Sequence, residues 1–288
     1  MRPLKALPLF PAGILMGILV SWPGWGMGVW GLDWHAPWGP SSFLLFLKPG
    51  ILGFLLGAMS SALVRGEFRV RRGAAPLLRF LLGALTSLAL LAAGGCPAGQ
   101  LFRLSRGDLG APAALAGLAL GARLGVELLR LGMGLGAPRR APGWAGIVGV
   151  FLLAALSSPF LWKQPAAWPA VISGAAVGAL AQGSRFCAVA PFRDLFLLKD
   201  AGLFPGLLGF LLGSLAASLL SGSFSLSVPY QWPRYLLQAG AMALGGACLV
   251  VVDGCPLRQA AAAAQGDLDG AAFFLGLLLP GLLVLATA

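Results

Sequence analysis

The chain alternates long apolar stretches with short connections that carry Arg, Lys, Trp, Gly and Pro. Nine stretches stand out, at 6–22, 43–64, 74–95, 109–135, 143–162, 168–187, 195–221, 235–253 and 270–287. A helix needs about 20 mostly apolar residues to cross a bilayer. The predicted fold is therefore an all-α integral membrane protein of about nine transmembrane helices in one membrane domain, 1–288. Trp22, Trp25, Trp30, Trp34 and Trp38 crowd the first connection, and Trp144, Trp162, Trp168 and Trp232 stand at other predicted helix ends. Such rings favour the membrane–water interface, and anchoring there is role enough for them.

Composition sharpens the class. Hydrophobic residues make up 58% of the chain and charged ones 10%, against about 25% charged in soluble domains. The net charge of +11 comes mostly from Arg in short connections. No long basic face lies outside the membrane, so nucleic acid is excluded as a partner and the lipid bilayer is the expected one. Arg2, Lys5, Arg65, Arg69, Arg71, Arg72, Arg139, Arg140, Arg193 and Lys199 fall on one side if the N-terminus is cytoplasmic, as the positive-inside rule predicts for a cell inner membrane. Arg103 and Arg106 are the exceptions, near the other side: either their side is misassigned or they draw an anion inward.

The pattern repeats. Pro49-Gly50-Ile51-Leu52-Gly53-Phe54-Leu55-Leu56-Gly57 matches Pro205-Gly206-Leu207-Leu208-Gly209-Phe210-Leu211-Leu212-Gly213, and Gly95-Cys96-Pro97 matches Gly254-Cys255-Pro256. The offsets, 156 from Pro49 to Pro205 and 159 from Cys96 to Cys255, differ by a small indel. One duplication accounts for both, with a first repeat over 6–135, a connecting helix at 143–162 and a second repeat over 168–288. A shift by five spans turns the second copy upside down, and inverted repeats place a shared site near the midplane between discontinuous helices.

Each Cys-Pro phrase should break a helix. Gly94-Gly95 or Asp253-Gly254 ends one, and Pro97 or Pro256 is well placed at the first position of the next. The expected short helices run over about 97–106 and 256–265, stopped by Gly107 and Gly266, with Asp108 and Asp267 capping the helices after them. Their N-termini, at Cys96 and Cys255, expose amide donors and the positive end of the helix dipole, which suits an anion. The thiols add soft, weak donors, and Gln100 and Gln259 supply amides or fix the short helices. A third cluster, Gly183-Ser184-Arg185-Phe186-Cys187 with Arg193-Asp194, ends the sixth span. Arg at membrane depth usually faces a cavity or a partner. Arg185 has no acid beside it in sequence and is read as anion-facing, whereas Arg193 can pair with a neighbouring acid. Cys248 reads as ordinary core, and Arg123, Glu127 and Arg130 as neutralisation along one helix face. His35 is the sole histidine and there is no Cys-x-x-Cys, so metal and haem sites are not expected.

Gly254-Cys255-Pro256-Leu257-Arg258-Gln259, Gln265-Gly266-Asp267, Gly183-Ser184-Arg185-Phe186-Cys187 and Gly94-Gly95-Cys96-Pro97 resemble the YeeE/YedE family of membrane proteins along nearly the whole chain. Residues 193–200 resemble its YedE branch, linked to selenium metabolism. The resemblance implies an hourglass-shaped transporter of thiosulfate, a related sulfur species or a selenium compound, with Cys96, Cys187 and Cys255 lining the route. Two departures bear on substrate preference: Ala98-Gly99 stands where the second copy has Leu257-Arg258, and Ala190-Pro191 replaces a more usual Gly-Gly. The expected function is uptake of a small sulfur- or selenium-containing anion along Cys96, Cys187, Cys255, Gln100, Gln259, Arg185 and Arg258, with Gly95, Gly254, Pro97 and Pro256 shaping the breaks. No cofactor is expected. A small cytoplasmic sulfurtransferase-like protein is a candidate partner. The alternative is a membrane thiol–disulfide oxidoreductase closing a Cys96–Cys255 bridge.

Overall fold

A computed structural model describes residues 7–22, 49–73, 75–136, 139–140, 168–227 and 232–287. The predicted 143–162 helix lies outside the described residues, as do His35, Trp25, Trp30, Trp34, Trp38, Trp144 and Trp162. The described residues are almost wholly helical: α1 Leu9–Ser21, α2 Pro49–Val64, α3 Pro76–Ala93, α4 Pro97–Ser105, α5 Ala111–Arg130, α6 Trp168–Ser184, α7 Ala190–Leu197, α8 Phe204–Leu220, α9 Trp232–Val251, α10 Pro256–Ala264 and α11 Leu268–Thr287. Two short strands, β1 Arg71–Arg72 and β2 Arg139–Arg140, pair antiparallel and bring two Arg-rich connections to one end of the bundle.

Among the described residues, Pro76–Ser105, Ala111–Arg130 and Pro233–Ala264 are long and apolar enough to cross a membrane, and Leu9–Ser21, Gly50–Val64, Phe204–Leu220 and Leu268–Pro280 are shorter apolar helices. The side chains are sorted as in a bilayer. Leu77, Leu81, Leu85 and Leu88 of α3, and Leu120 and Leu124 of α5, face outward at helical spacing, while Gln100, Gln182, Ser173 and Ser214 are buried. The predicted span at 195–221 is corrected: α7 ends at Leu197, Lys199 takes a left-handed φ of 57°, and α8 starts at Phe204. The polar Lys199-Asp200 pair and Gly202 make that break.

The helices approach closely where one of a pair offers glycine. A Cβ at Gly53 or Gly57 of α2 would strike the carbonyls of Val171 or Ala175 in α6, and one at Gly209 or Gly213 of α8 would strike those of Phe10 or Ile14 in α1. Gly13 of α1 lies on Gly206 and Phe210 as Gly174 of α6 lies on Gly50, with Phe54 beside it. Numbers rise together within each pair, so α2 runs parallel to α6 and α1 to α8. The start of α1 meets the end of α6, where the Leu7 amide donates to the Gly183 carbonyl at 2.9 Å. Those two helices run oppositely. So do α3 and α9, with Gly94 beside Gln238 and Leu90 beside Gly245. Small residues at such crossings allow the dense backbone packing on which association in lipid relies.

Candidate functional site

The two Cys-Pro phrases adopt one backbone shape. Gly94 and Asp253 have φ of 77° and 65°, and Gly95 and Gly254 have φ of 141° and 157°. The two-residue kink ends α3 and α9 and restarts the chain as α4 and α10. Cys96 (φ −73°, ψ 165°) and Cys255 (φ −70°, ψ 166°) are the N-caps, with Pro97 and Pro256 in the first turn. Pro needs no amide partner there. Both short helices stop before a glycine of positive φ, Gly107 (90°) and Gly266 (93°). The Asp108 carboxylate then accepts the Gly110 amide at 2.8 Å, and that of Asp267 accepts the Asp269 amide at 2.9 Å.

Gln100 and Gln259 stitch the breaks. Gln100 Nε2 donates back across the kink to the Ala93 carbonyl (3.1 Å), and Gln259 Nε2 donates to the Val252 carbonyl (2.6 Å). Each amide closes a carbonyl that a broken helix leaves open. Of the two roles expected for these glutamines, fixing the short helices is the one with visible bonds.

Two of the three proposed thiols come together. The Cys255 amide donates to Cys187 Sγ at 3.3 Å, and the Ala188 amide donates to Cys255 Sγ at 3.4 Å. Cys187 Sγ also accepts the Ala190 amide at 3.4 Å, at the start of α7. Both residues are buried. The pair thus joins the start of α7 to the start of α10. Cys96 is half-buried, and its Sγ accepts the Gly99 amide of its own helix at 3.4 Å. Cys248 is buried within α9, in line with its reading as core.

The arginines divide. Arg185 has a left-handed φ of 57°, and its side chain is largely exposed, with Nη2 3.8 Å from Glu67 Oε1. The acid comes from far off in sequence: Glu67, which also accepts Gln182 Nε2 at 3.1 Å, belongs to the connection after α2. The reading of Arg103 as a residue that draws an anion inward is corrected. Arg103 is buried and bound to Asp108 through Nε (2.8 Å) and Nη2 (2.7 Å), and through Nη1 to Gln100 Oε1 (3.0 Å) and the Gly94 carbonyl (3.2 Å). It clamps the first break through Nε, Nη1 and Nη2. Arg106 stacks on the Phe102 ring, 5.4 Å from its centroid. Arg193 pairs with Asp194 at 2.8 Å, as expected, and also with Asp253, the left-handed residue of the second kink. Arg130 pairs with Glu127 at 2.8 Å on an exposed face.

Sequence reasoning missed Glu67 and the partners Asp253 and Arg79, the last 3.3 Å from Asp269. A lone acid in an Arg-rich connection was the available signal for Glu67. Arg258, on the first turn of α10, is different again. Its Nη1 is buried and meets no acceptor among the described residues. Among the described residues there is also no group of three or more His, Cys, Asp or Glu placed to hold a metal. Comparison with protein-family models and with curated proteins gives no match.

Proposed function

We propose that this chain is an inner-membrane importer of a small sulfur- or selenium-containing anion, of the kind its YeeE/YedE-like motifs imply. The observation that carries this reading is the contact between Cys187 and Cys255, whose sulfurs accept backbone amides from each other's segments at the start of two helices. Soft sulfur beside helix N-termini suits a soft anion: the amide dipoles offset its charge, and weak S–H contacts do not hold it. The opposed directions of α1 and α6, and of α3 and α9, support an inverted repeat, with the N-terminus cytoplasmic by the positive-inside rule. Cys96 is the third thiol along the route. A small cytoplasmic sulfurtransferase-like protein would take the cargo on release.

The test is uptake of labelled thiosulfate, selenite and sulfate into vesicles bearing wild-type protein or Cys255→Ser. Thiosulfate or selenite flux that exceeds sulfate flux and falls in the variant supports the proposal. Equal flux in both proteins removes the thiols from the path, and sulfate moving as fast as thiosulfate removes the soft-anion selectivity.

The proximity of Cys187 and Cys255 favours a second reading, a membrane thiol–disulfide oxidoreductase. The pair would lose two electrons and two protons to a quinone and close a disulfide. Quinone reduction by the purified protein, lost in Cys187→Ser, would select it over transport.

A further inference from the structure

Behind α10 lies a cavity of about 520 Å³, walled by the ends of α5, α7 and α9, by one face of α10 and by the turn into α11. Its lining includes Arg71, Arg79, Arg193, Arg258, Gln265 and Asp267. Most of its charges are already matched. Arg79 sits on Asp269, which also accepts the Gly73 amide at 2.8 Å. Arg193 is shared by Asp194 and Asp253. Asp267 accepts the amides of Asp269 and Gly270.

Arg71 has no ion pair among the described residues, and Arg258 differs from it in having a buried, unmatched nitrogen. Glu67 is within electrostatic reach of Arg258, but that carboxylate is taken by Gln182 and Arg185, and Arg185 itself repels Arg258. A guanidinium cannot shed its charge, and a buried one without an acceptor is costly. Arg258 lines the cavity, and a small anion held there would offset that charge.

We infer that this cavity is an oxyanion-docking vestibule, in which Arg258 holds a small divalent oxyanion by charge and without regard to sulfur. The inference rests on the transport reading and names a station on its route. Three features carry it. The cavity, about 520 Å³, is roomy enough for a small ion with water around it, so an ion enters hydrated and presents oxygen and sulfur alike. Arg258 lies three residues after Cys255 in the same short helix, about 4.5 Å of helix rise from it. A docked ion is then one turn from the thiol pair, where its water would be stripped and sulfur distinguished from oxygen. The site has no copy in the first half, where Gly99 replaces Arg258 and the buried Arg103 is already bound to Asp108, Gln100 and the Gly94 carbonyl.

The experiment is calorimetric titration of the full chain in lipid nanodiscs, open on both sides, with sodium thiosulfate and separately with sodium sulfate. Both are expected to bind once per chain with comparable affinity and to compete. Losing one charge-assisted contact weakens both by about tenfold or more in Arg258→Gln. Arg258→Lys, which keeps the charge, recovers much of the loss, and this separates a binding role from misfolding. Unchanged binding in Arg258→Gln, or thiosulfate binding that sulfate cannot compete away, overturns the inference. Vesicle flux keeps the two ideas apart. Thiosulfate uptake with Arg258-independent binding defeats the vestibule alone, and Arg258-dependent binding with no uptake defeats the transporter alone.

Discussion

Gln259→Leu tests whether the broken helix is held by its own glutamine. The substitution keeps the side-chain bulk and removes the Nε2 donor that reaches the Val252 carbonyl at 2.6 Å. Val252 is fully buried, so its carbonyl loses that donor where water cannot replace it. Leaving a buried acceptor unsatisfied costs about 1–3 kcal/mol. The cost falls on the kink 252–259, whose middle holds Cys255 at 1% exposure. A thiol so buried reacts only when its segment opens, and the reaction rate follows the population of the open form. At a tenfold change per 1.4 kcal/mol, Cys255 should label roughly 5-fold to 140-fold faster. The assay is a time course with a membrane-permeable maleimide, read thiol by thiol by peptide mass spectrometry. Gln100→Leu is the mirror experiment and should accelerate Cys96 while leaving Cys255 unchanged. Labelling of Cys255 at the wild-type rate in Gln259→Leu, or equal acceleration of all four thiols, would refute the local stitch.

The clamp, the thiol pair and the helix crossings can each be tested in turn. Arg103→Met strands the buried Asp108 carboxylate and should cost about 3–5 kcal/mol, seen as a lower Tm in detergent; Arg103→Met with Asp108→Leu should recover most of it, and failure to do so would mean the clamp acts otherwise. Mild oxidation with a dipyridyl disulfide should link Cys187 to Cys255, and a peptide map showing Cys96 joined to Cys255 would contradict the observed pairing. Arg193→Gln, which unties α7 from Asp253, should reduce the yield of that link without altering Cys96 labelling. Gly57→Leu should prevent α2 from seating on the Ala175 carbonyl of α6, and a stable, monodisperse protein carrying it would mean the two helices do not meet as described.

The breaks were legible because their signals are local. Gly94-Gly95-Cys96-Pro97 and Asp253-Gly254-Cys255-Pro256 each combine a left-handed kink, a cap and a proline within four residues, and the next glycine sets the length of the short helix. The helix starts and stops of α4 and α10 accordingly fall within a residue of the expected 97–106 and 256–265. The end of α7 was harder to see, because apolar content runs on through Leu195-Phe196-Leu197-Leu198 and a single Lys199-Asp200 interruption is short enough to pass for part of a span. The partners that arginines find across the fold were not legible. Glu67 and Arg185 are 118 positions apart in the chain, and Cys187 and Cys255 are 68 apart. Only the packing of α2 on α6, and of α7 beside the second kink, brings them together. Charge spacing along one helix, as in Glu127 and Arg130, is readable from sequence; charge pairing between helices depends on which faces the small residues allow to meet.

The two halves share a backbone and differ in their polar wiring, and that difference separates their roles. In the first, Arg103, Asp108, Gln100 and the Gly94 carbonyl satisfy one another at the kink. A closed buried network rigidifies what it joins, because every bond lost exposes a group that lipid cannot solvate. In the second, Ala262 takes the place of Arg103, the kink residue Asp253 is bound from outside by Arg193, and Arg258 lines a cavity and keeps a buried nitrogen unmatched. Its charges can be satisfied by something that arrives and leaves. On the proposed transport reading, the fastened network gives α4 a holding role and the open one gives α10 exchange. The consequence is an asymmetry in labelling: in the wild-type protein, added sulfate should slow the modification of Cys255, through occupation of the cavity beside Arg258, and leave that of Cys96 unaffected. Equal protection of both thiols would mean the halves work alike and that the difference in wiring has no bearing on the route.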